Sequence, residues 1–415
     1  MQLLKRHSVS SWIAPILTLF FGVMMMCRCL EGFQAPEVSE LFAPKVDIYV
    51  KYALFLTGIF LLYVLFCKVR RVRIIGFLSG IYIVTIFGLS YRIFFGTPKD
   101  FEQECLFTLM GLAIVAPTVC IIVRRVRKIP NWFYYMAFAV TLGLLLYTYK
   151  YGVSKNGARL WLNVGSFSIQ PGEFIRVFII FICAYSNRDV KRYTATAILA
   201  VICCGIYVLS SDFGTVAVIF LCFLQIVFVL WNNKKLSLLI IAFGVVAIVL
   251  AYYASDKAHE RLADTFHAME NTRVFQQRKF ITGAVLGGFK GLGIQNHFAY
   301  TKITEAGNDG AILGVQAVYG ISGVFLLIGG YAMICQQTLR ARSYRPQDTV
   351  ILFQGSAYIM IVVLLNYLGA ADVAPFTGIC APLVSTGGSS TIAASMVLGA
   401  MAGAMYPHIE SPKAD

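Results

Sequence analysis

Two carboxylates, Glu305 and Asp309, end the longest polar segment of the chain, which runs from about residue 255 to residue 310. An apolar run follows directly, so both stand where a helix should begin. A carboxylate there can serve as a general base that takes a proton from a hydroxyl. The alternative is structural, because an aspartate ahead of a helix often caps it and the helix N-terminus makes it a weaker base. From these residues alone, the cap is the simpler interpretation.

A second ionisable set, Glu173 and Arg176, lies in a short apolar run that begins at Pro171. Residues three apart share a helix face, so the two side chains can pair. Charge inside a membrane-spanning run is costly and is by default a functional hypothesis. A buried pair that fixes helix packing is the alternative. Trp161, just before this run, is typical of an amphipathic anchor at a membrane surface.

Glycine-rich and proline-rich segments form the third candidate feature. The run from Gly287 to Gly293 contains Lys290 and follows Arg278, and both cations could meet a phosphate. Glycines there let backbone approach a ligand or other backbone closely. The segment 375–390 has too many prolines and glycines for a regular helix. Such backbone near a membrane is tolerated only when it packs in protein or lines a wet cavity.

The elements that must position these residues are apolar helices. Of the 415 residues, 58% are hydrophobic and 13% are charged, whereas a soluble domain carries about 25% charged residues. Apolar runs long enough to span a bilayer recur along the chain, and backbone in a bilayer must satisfy its own hydrogen bonds. We therefore predict an all-α fold, a polytopic transmembrane helix bundle. Most of the eleven cysteines lie in apolar runs and are expected to be small apolar filler.

We predict about twelve spans from the length of these runs. They lie near residues 12–30, 50–68, 74–95, 105–123, 132–149, 171–187, 194–210, 214–231, 236–254, 311–337, 348–369 and 389–406. Asp212, between two of them, is expected to cap the following helix. A further helix at the membrane surface is expected after Ser255, because apolar residues recur there on one face.

Charge alternates between successive turns, and Lys and Arg exceed Asp and Glu by 35 to 20. The basic turns fall on one side, which the positive-inside rule places in the cytoplasm together with both termini. The excess charge is thus a topology signal and does not indicate nucleic-acid binding. The predicted division is 1–150, N-terminal transmembrane helices; 151–406, a membrane core with the extracytoplasmic loop 255–310; and 407–415, a cytoplasmic tail.

Several motifs follow one another in a fixed order between residues 156 and 406. They are Gly157–Trp161 with Gln170–Glu173, Asp212–Thr215, Gly287–Gly293, Glu305–Asp309, and Asn366 followed by Pro375, Gly378, Pro382 and Ser385–Ser390. Together they resemble the SEDS family (shape, elongation, division and sporulation proteins), the RodA-, FtsW- and SpoVE-like polymerases. The chain departs from the family pattern at Gly172 for Ser, Arg176 for Lys, Thr304 for Pro, Gly310 for an aromatic residue and Thr386 for Tyr. It also holds about two more N-terminal spans than the ten-helix core of that family.

The resemblance implies a peptidoglycan glycosyltransferase that polymerises lipid II at the outer face of the cytoplasmic membrane. Asp309 is then the base that deprotonates the acceptor sugar 4-hydroxyl, and Glu305 supports it. Cationic or metal charge, such as Mg²⁺, would stabilise the departing undecaprenyl pyrophosphate. The remaining candidates for substrate contact are Arg159, Trp161, Glu173, Arg176, Lys290, Lys302, Ser385, Gly387, Gly388 and Ser389.

A partner and two alternative functions complete the hypothesis. The family works with a class B penicillin-binding protein, a transpeptidase. A flippase or transporter of lipid-linked precursors is one alternative, because charged residues inside spans and broken helices are typical of transporters. A non-catalytic scaffold for the transpeptidase is the other.

Overall fold

The computed structural model describes residues 10–32, 36–69, 74–126, 128–155, 158–165, 167–186, 190–210, 212–230, 234–254, 274–293, 303, 305–340, 345–374 and 376–405. Over these ranges the chain forms thirteen helices and one small sheet. The predicted all-α membrane class is therefore confirmed, and every predicted span falls on a helix. The helix expected after Ser255 lies outside the described residues.

The helices are numbered in chain order. They are α1 (Ser10–Gly32), α2 (Pro36–Val69), α3 (Ile75–Arg92), α4 (Pro98–Arg125), α5 (Asn131–Tyr151), α6 (Pro171–Ser186), α7 (Val190–Leu209), α8 (Phe213–Gln225), α9 (Lys234–Ala254), α10 (Val274–Gly287), α11 (Ala311–Arg340), α12 (Pro346–Ala370) and α13 (Gly388–Met405). A π-helical turn, Gly111–Val115, lies inside α4, and another, Ile226–Leu230, extends α8.

Seven of the described helices are long and apolar enough to cross a membrane, namely α2, α3, α4, α5, α11, α12 and α13. Shorter apolar stretches lie in α1, α7, α8 and α9. This is the pattern of a multi-pass membrane protein, since each run must satisfy its backbone hydrogen bonds within a helix. The count of about twelve spans stays a prediction.

Close helix packing holds the site-bearing helices together. α3 packs along α11, and α13 packs along α4. A β-carbon on Gly399 of α13 would lie 2.3 Å from the carbonyl oxygen of Ala116 in α4, so only glycine permits this approach. Small residues at such contacts let membrane helices pack by van der Waals contact, because lipid supplies no hydrophobic drive between helices.

The segment before α6 forms a small antiparallel sheet that was not predicted. Its strands are β1 (Val153–Lys155), β2 (Ala158–Val164) and β3 (Phe167–Ile169), in the order β1-β2-β3. Leu162 pairs with Ile169, and Val153 with Trp161. The strands are too short to give a clear alternating pattern in the sequence.

α10 lies alongside the first half of α11, and the glycine run after it pairs with a kink in α11. Gly320 has φ 73° and ψ −177°, a conformation suited to glycine. The amide of Leu292 donates to the Ala317 carbonyl (2.9 Å), and the amide of Ile321 donates to the Gly288 carbonyl (2.9 Å). These bonds satisfy backbone groups that the kink removes from the helix.

Candidate active site

Asp309 lies in a tight turn, Glu305–Gly310, immediately before α11. Glu305 has a left-handed φ of 61°, and its carbonyl accepts from the amides of Asn308 and Asp309, both at 3.1 Å. The Glu305 carboxylate accepts a hydrogen bond from the Asn308 side-chain amide at 2.7 Å. Glu305 therefore holds the turn that carries Asp309, and its role in catalysis stays a prediction. Because α11 begins at Ala311, Gly310 holds the cap position and Asp309 comes one residue earlier.

Asn366 of α12 ties this turn to the rest of the site. Its side-chain amide donates to the carbonyls of Asn308 (3.2 Å), Asp309 (3.1 Å) and Ile379 (2.7 Å). Its side-chain oxygen accepts from the amide of Ile312 in α11 at 3.2 Å. At 2% exposure Asn366 is buried, so loss of this side chain would leave several backbone groups unsatisfied. Asn366 thus fixes the backbone on both sides of Asp309.

The segment 376–387 contacts the Asp309 turn. It has no regular helix, as its prolines and glycines predict. The Ser385 hydroxyl donates to the Asn308 carbonyl (2.6 Å), and the Thr386 amide donates to the Gly307 carbonyl (2.8 Å). The Thr386 hydroxyl also donates to the side-chain oxygen of Asn308. Ser385 is completely buried, so its contacts are with protein. The two residues hold the Asp309 turn from one side.

Two further motifs meet the same segment. The Ser389 hydroxyl accepts from the Gln170 amide at 3.2 Å, which joins α13 to the start of α6. A β-carbon on Gly214 would lie 2.4 Å from the Thr377 carbonyl, so α8 touches the segment through its glycine. Asp212 caps α8 as predicted, since its carboxylate accepts from the Thr215 amide at 2.9 Å.

Gly378 and Cys380 border the Asp309 carboxylate. A β-carbon on Gly378, whose φ is 68°, would lie 3.5 Å from Asp309 Oδ2, so the carboxylate faces bare backbone. Burial raises the pKa of the Cys380 thiol well above its usual range, and the nearby Asp309 and Glu173 carboxylates raise it further. The Cys380 thiol is therefore within electrostatic range of both Asp309 and the ion pair of α6.

The ion pair of α6 is buried inside the bundle. Glu173 and Arg176 are 4% and 3% exposed, and the Arg176 Nη2 pairs with Glu173 Oε1 as their spacing predicts. Arg176 Nε donates to the Gly172 carbonyl at 3.3 Å, while Nη1 has no partner among the described residues. This burial favours the packing interpretation of the pair over direct substrate contact.

Arg159 lies on β2 at the edge of a pocket on the same end of the molecule. The pocket is lined by Leu145, Thr148, Tyr149, Arg159, Leu160, Gln170, Gly172, Tyr207, Ser210 and Asp212. Arg159 is exposed, so its guanidinium is available to an anion. Trp161, on the same strand, is half-buried, which fits an anchoring residue.

The remaining cationic candidates differ in their distance from the Asp309 turn. Arg278 is exposed on α10, two residues before Phe280, whose ring would lie 2.6 Å from a β-carbon on Gly310. Lys290 is exposed and lies in the glycine run beside the α11 kink at Gly320. Ten residues of helix separate that kink from Gly310, on the order of 15 Å along the axis. Lys302 lies outside the described residues. In the last motif, Gly388 permits close packing of α13 on α4, because a β-carbon there would lie 2.5 Å from the Phe107 ring.

Asn308 and Gln170 complete the constellation, although neither was a site candidate. Both lie within motifs noted in the sequence, but their contacts join segments far apart in the chain and do not follow from any local pattern. In the described part of the chain, no group of three or more His, Cys, Asp or Glu side chains could hold a metal ion. The predicted Mg²⁺ therefore has no preformed protein site among these residues.

Known proteins are similar to this chain in sequence. A family model described as cell cycle protein (FtsW, RodA, SpoVE) matches residues 72–406. The chain is 26% identical to a probable peptidoglycan glycosyltransferase FtsW of Bacillus subtilis, over 63% of this chain and 70% of that protein. It is 24% identical to the peptidoglycan glycosyltransferase RodA of Mycobacterium tuberculosis, over 72% of this chain and 69% of that protein.

Solved structures agree in fold. Rod shape determining protein RodA of Thermus thermophilus superposes with a TM-score of 0.57 at 21% identity, covering 80% of this chain and 96% of that one. A chain of a peptidoglycan synthase complex that coordinates polymerization and crosslinking gives 0.60 at 20% identity, covering 78% and 96%. The matched region begins at α3, so α1 and α2 precede it. Since the family model spans most of the chain, including every motif around Asp309, this protein belongs to the FtsW/RodA/SpoVE family of cell cycle proteins.

Proposed function

We propose that this protein is a peptidoglycan glycosyltransferase that polymerises glycan strands from lipid II. Its family includes proteins named as peptidoglycan glycosyltransferases FtsW and RodA. The observation that carries the proposal is the support of the Asp309 turn by Asn366 and by Ser385. Gln170 and Gly214 in turn contact the segment 376–389 that bears Ser385. A lone helix cap would not need support from so many elements.

In the proposed reaction, Asp309 takes the proton from the 4-hydroxyl of an incoming lipid II. The resulting oxygen nucleophile attacks the anomeric carbon of the growing chain. The bond from that carbon to the pyrophosphate oxygen breaks, and undecaprenyl pyrophosphate leaves with the electron pair. One displacement inverts the anomeric carbon. Arg159, exposed on β2, and Arg278, exposed on α10, are the described candidates to stabilise the leaving pyrophosphate.

The metal, partner and orientation are further parts of the proposal. Mg²⁺ would be held by the substrate pyrophosphate, because phosphate oxygens are ligands that it prefers. A class B penicillin-binding protein is the proposed partner, because one structural neighbour belongs to a peptidoglycan synthase complex. The Asp309 end is assigned to the outer face of the cytoplasmic membrane and both termini to the cytoplasm.

The test is a glycan-ladder assay with purified full-length protein and labelled lipid II, with and without the partner. Asp309→Asn keeps the side-chain shape and removes the base, so we expect the rate to fall by roughly 10²- to 10⁴-fold. Glu102→Gln is the control, because it makes the same change from carboxylate to amide at an exposed position of α4 and should keep the wild-type rate.

Three outcomes count against the proposal. A wild-type rate in correctly folded Asp309→Asn would show that Asp309 is not the general base. Lipid movement in vesicles without glycan synthesis would favour a flippase. Full complementation of cell growth by Asp309→Asn would favour a scaffold. A chelator arm tests the cation, and an unchanged rate in EDTA would argue against Mg²⁺.

A further inference from the structure

Arg92, the last residue of α3, is a buried cation outside the motifs described above. It is 1% exposed. Its Nε donates to the Val384 carbonyl at 3.2 Å, and its Nη1 donates to the Thr108 hydroxyl at 2.8 Å. Its Nη2 lies 3.5 Å from the hydroxyl of Thr391. A guanidinium stays charged in proteins, so burial is tolerated only with such contacts.

Glu104 of α4 supplies the opposite charge. Its Oε2 lies 3.8 Å from Arg92 Nη1 and accepts a hydrogen bond from the Gly387 amide at 3.0 Å. A hydrogen bond from a backbone amide to an ionised carboxylate is stronger than one between neutral groups. The two side chains therefore contact the Ser385–Ser390 motif within its length, at Gly387, and on either side of it, at Val384 and Thr391.

The motif held in this way is the one that touches the Asp309 turn. Ser385 and Thr386 lie between the anchored positions Val384 and Gly387, and they bond to the carbonyls of Asn308 and Gly307. We propose that Arg92 and Glu104 are positioning residues for glycosyl transfer, acting through the Ser385–Gly388 segment to fix the Asp309 turn. The kinetic part of this proposal rests on the proposed function.

The physical reason is that the rate of the reaction is sensitive to the position of the general base. A general base must lie within hydrogen-bond reach of the proton it removes. A shift of about 1 Å in a catalytic group can cost on the order of a hundredfold in rate. The segment bearing Ser385 lacks regular secondary structure, so its position depends on contacts such as those of Arg92 and Glu104.

The kinetic experiment compares Glu104→Ala, Glu104→Gln and the control Glu102→Ala in the lipid II assay. Glu102 is an exposed carboxylate on the same helix. For Glu104→Ala we expect kcat to fall about tenfold to a hundredfold with KM changed less than about twofold. Glu104→Gln retains an acceptor for Gly387 and should recover much of kcat, whereas Glu102→Ala should match wild type. Wild-type kcat in Glu104→Ala would overturn the proposal.

A double variant, Arg92→Met with Glu104→Met, separates position from stability. Replacing a buried ion pair by apolar residues of similar size is often neutral for stability. We expect this variant to fold with a Tm close to wild type and still to lose kcat as Glu104→Ala does. A folded double variant with wild-type kcat would overturn the proposal, even if Glu104→Ala failed to fold.

Labelling of Cys380 provides a readout that does not depend on activity. The Cys380 thiol is half-buried against this segment, with Sγ 3.9 Å from the Thr386 carbonyl. Release of the segment in Glu104→Ala should raise its maleimide labelling, followed peptide by peptide in a mass spectrometer, by at least about fivefold. An unchanged labelling rate would overturn the proposal. Because this measurement needs no turnover, it also stands if wild-type protein fails to polymerise lipid II, which would instead refute the proposed function.

Discussion

At the residue scale, the backbone around Asp309 is held by amide and hydroxyl groups. Asn366 contacts the backbone of Asp309 and Asn308, and Ser385 and Thr386 contact Asn308 and its neighbour. These contacts reach the turn from α12 and from the segment before α13. The position of the Asp309 backbone therefore depends on elements that are far apart in sequence.

Gly172 gives a test of packing beside the site. A β-carbon there would lie 3.3 Å from the Tyr207 hydroxyl and 3.6 Å from Thr215 Oγ1. The Tyr207 hydroxyl is buried and has no hydrogen-bond partner among the described residues. Gly172→Ser, the residue typical of the family, supplies that partner. We expect it to be more stable than Gly172→Ala by about 1 kcal/mol.

Gly172→Ala is the control, because it adds the same β-carbon with its 3.3 Å contact to the Tyr207 hydroxyl, and a helix preference of roughly 0.5–1 kcal/mol over glycine, but no hydroxyl. Thermal unfolding of the wild-type, Gly172→Ala and Gly172→Ser proteins, purified in one detergent, measures the effect of the β-carbon and that of the hydroxyl separately. A serine variant less stable than the alanine variant would show that the hydroxyl finds no partner.

Sequence could indicate the carboxylates but not their support. Glu305 and Asp309 stand out because they end a polar segment, and Glu173 with Arg176 because charge is rare in apolar runs. The Arg92–Glu104 pair gave no such signal, since each residue lies near the end of a run among other polar groups. Its role depends on α3, α4 and the last motif meeting in three dimensions.

At the element scale, long apolar runs predict the helices, because backbone inside a bilayer must satisfy its own hydrogen bonds. The sheet β1–β3 and α10 escaped prediction, since short strands and a partly polar helix have weak patterns. The helices that precede the family match are not loosely attached. The Thr57 hydroxyl of α2 lies 2.8 Å from that of Tyr82 in α3, and Tyr63 donates to the Leu112 carbonyl in the π turn of α4 at 3.1 Å.

Lys45 of α2 is the clearest test of this attachment. It is 5% exposed, and its ammonium donates to the carbonyls of Ile93 (3.2 Å), Phe95 (3.2 Å) and Gly96 (2.6 Å) beyond the end of α3. A helix C-terminus leaves carbonyls unsatisfied and favours a cation. Lys45→Met keeps the aliphatic stem and removes all three bonds, so we expect a loss of about 1–3 kcal/mol.

The control for that prediction is Lys51→Met, an exposed lysine on the same helix. Thermal unfolding should separate the two variants by several degrees. Equal Tm values would show that α2 contributes no stability through Lys45.

At the scale of the whole molecule, basic residues gather at the end opposite the site. Arg345 donates to the Val123 carbonyl at 3.1 Å, and Arg192 donates to the Ile129 carbonyl at 3.1 Å. These contacts bring together the ends of α4, α6 and α11 and the starts of α5, α7 and α12. The Asp309 turn instead adjoins the end of α12, and the segment 376–389 that contacts this turn adjoins the starts of α4, α6, α8 and α13. The bundle therefore separates a basic end from the candidate active site.

This separation predicts the orientation of the protein in the membrane. The positive-inside rule places the basic end in the cytoplasm, so the Asp309 end faces outward, where lipid-linked sugars would be polymerised. In intact cells, a single cysteine introduced at Lys99, beside the start of α4, should react with a membrane-impermeant maleimide. One introduced at Lys128, in the turn between α4 and α5, should react only after the membrane is permeabilised. The reverse pattern would place the Asp309 carboxylate in the cytosol and overturn both the orientation and the proposed reaction, because the acceptor sugar would lie on the other leaflet.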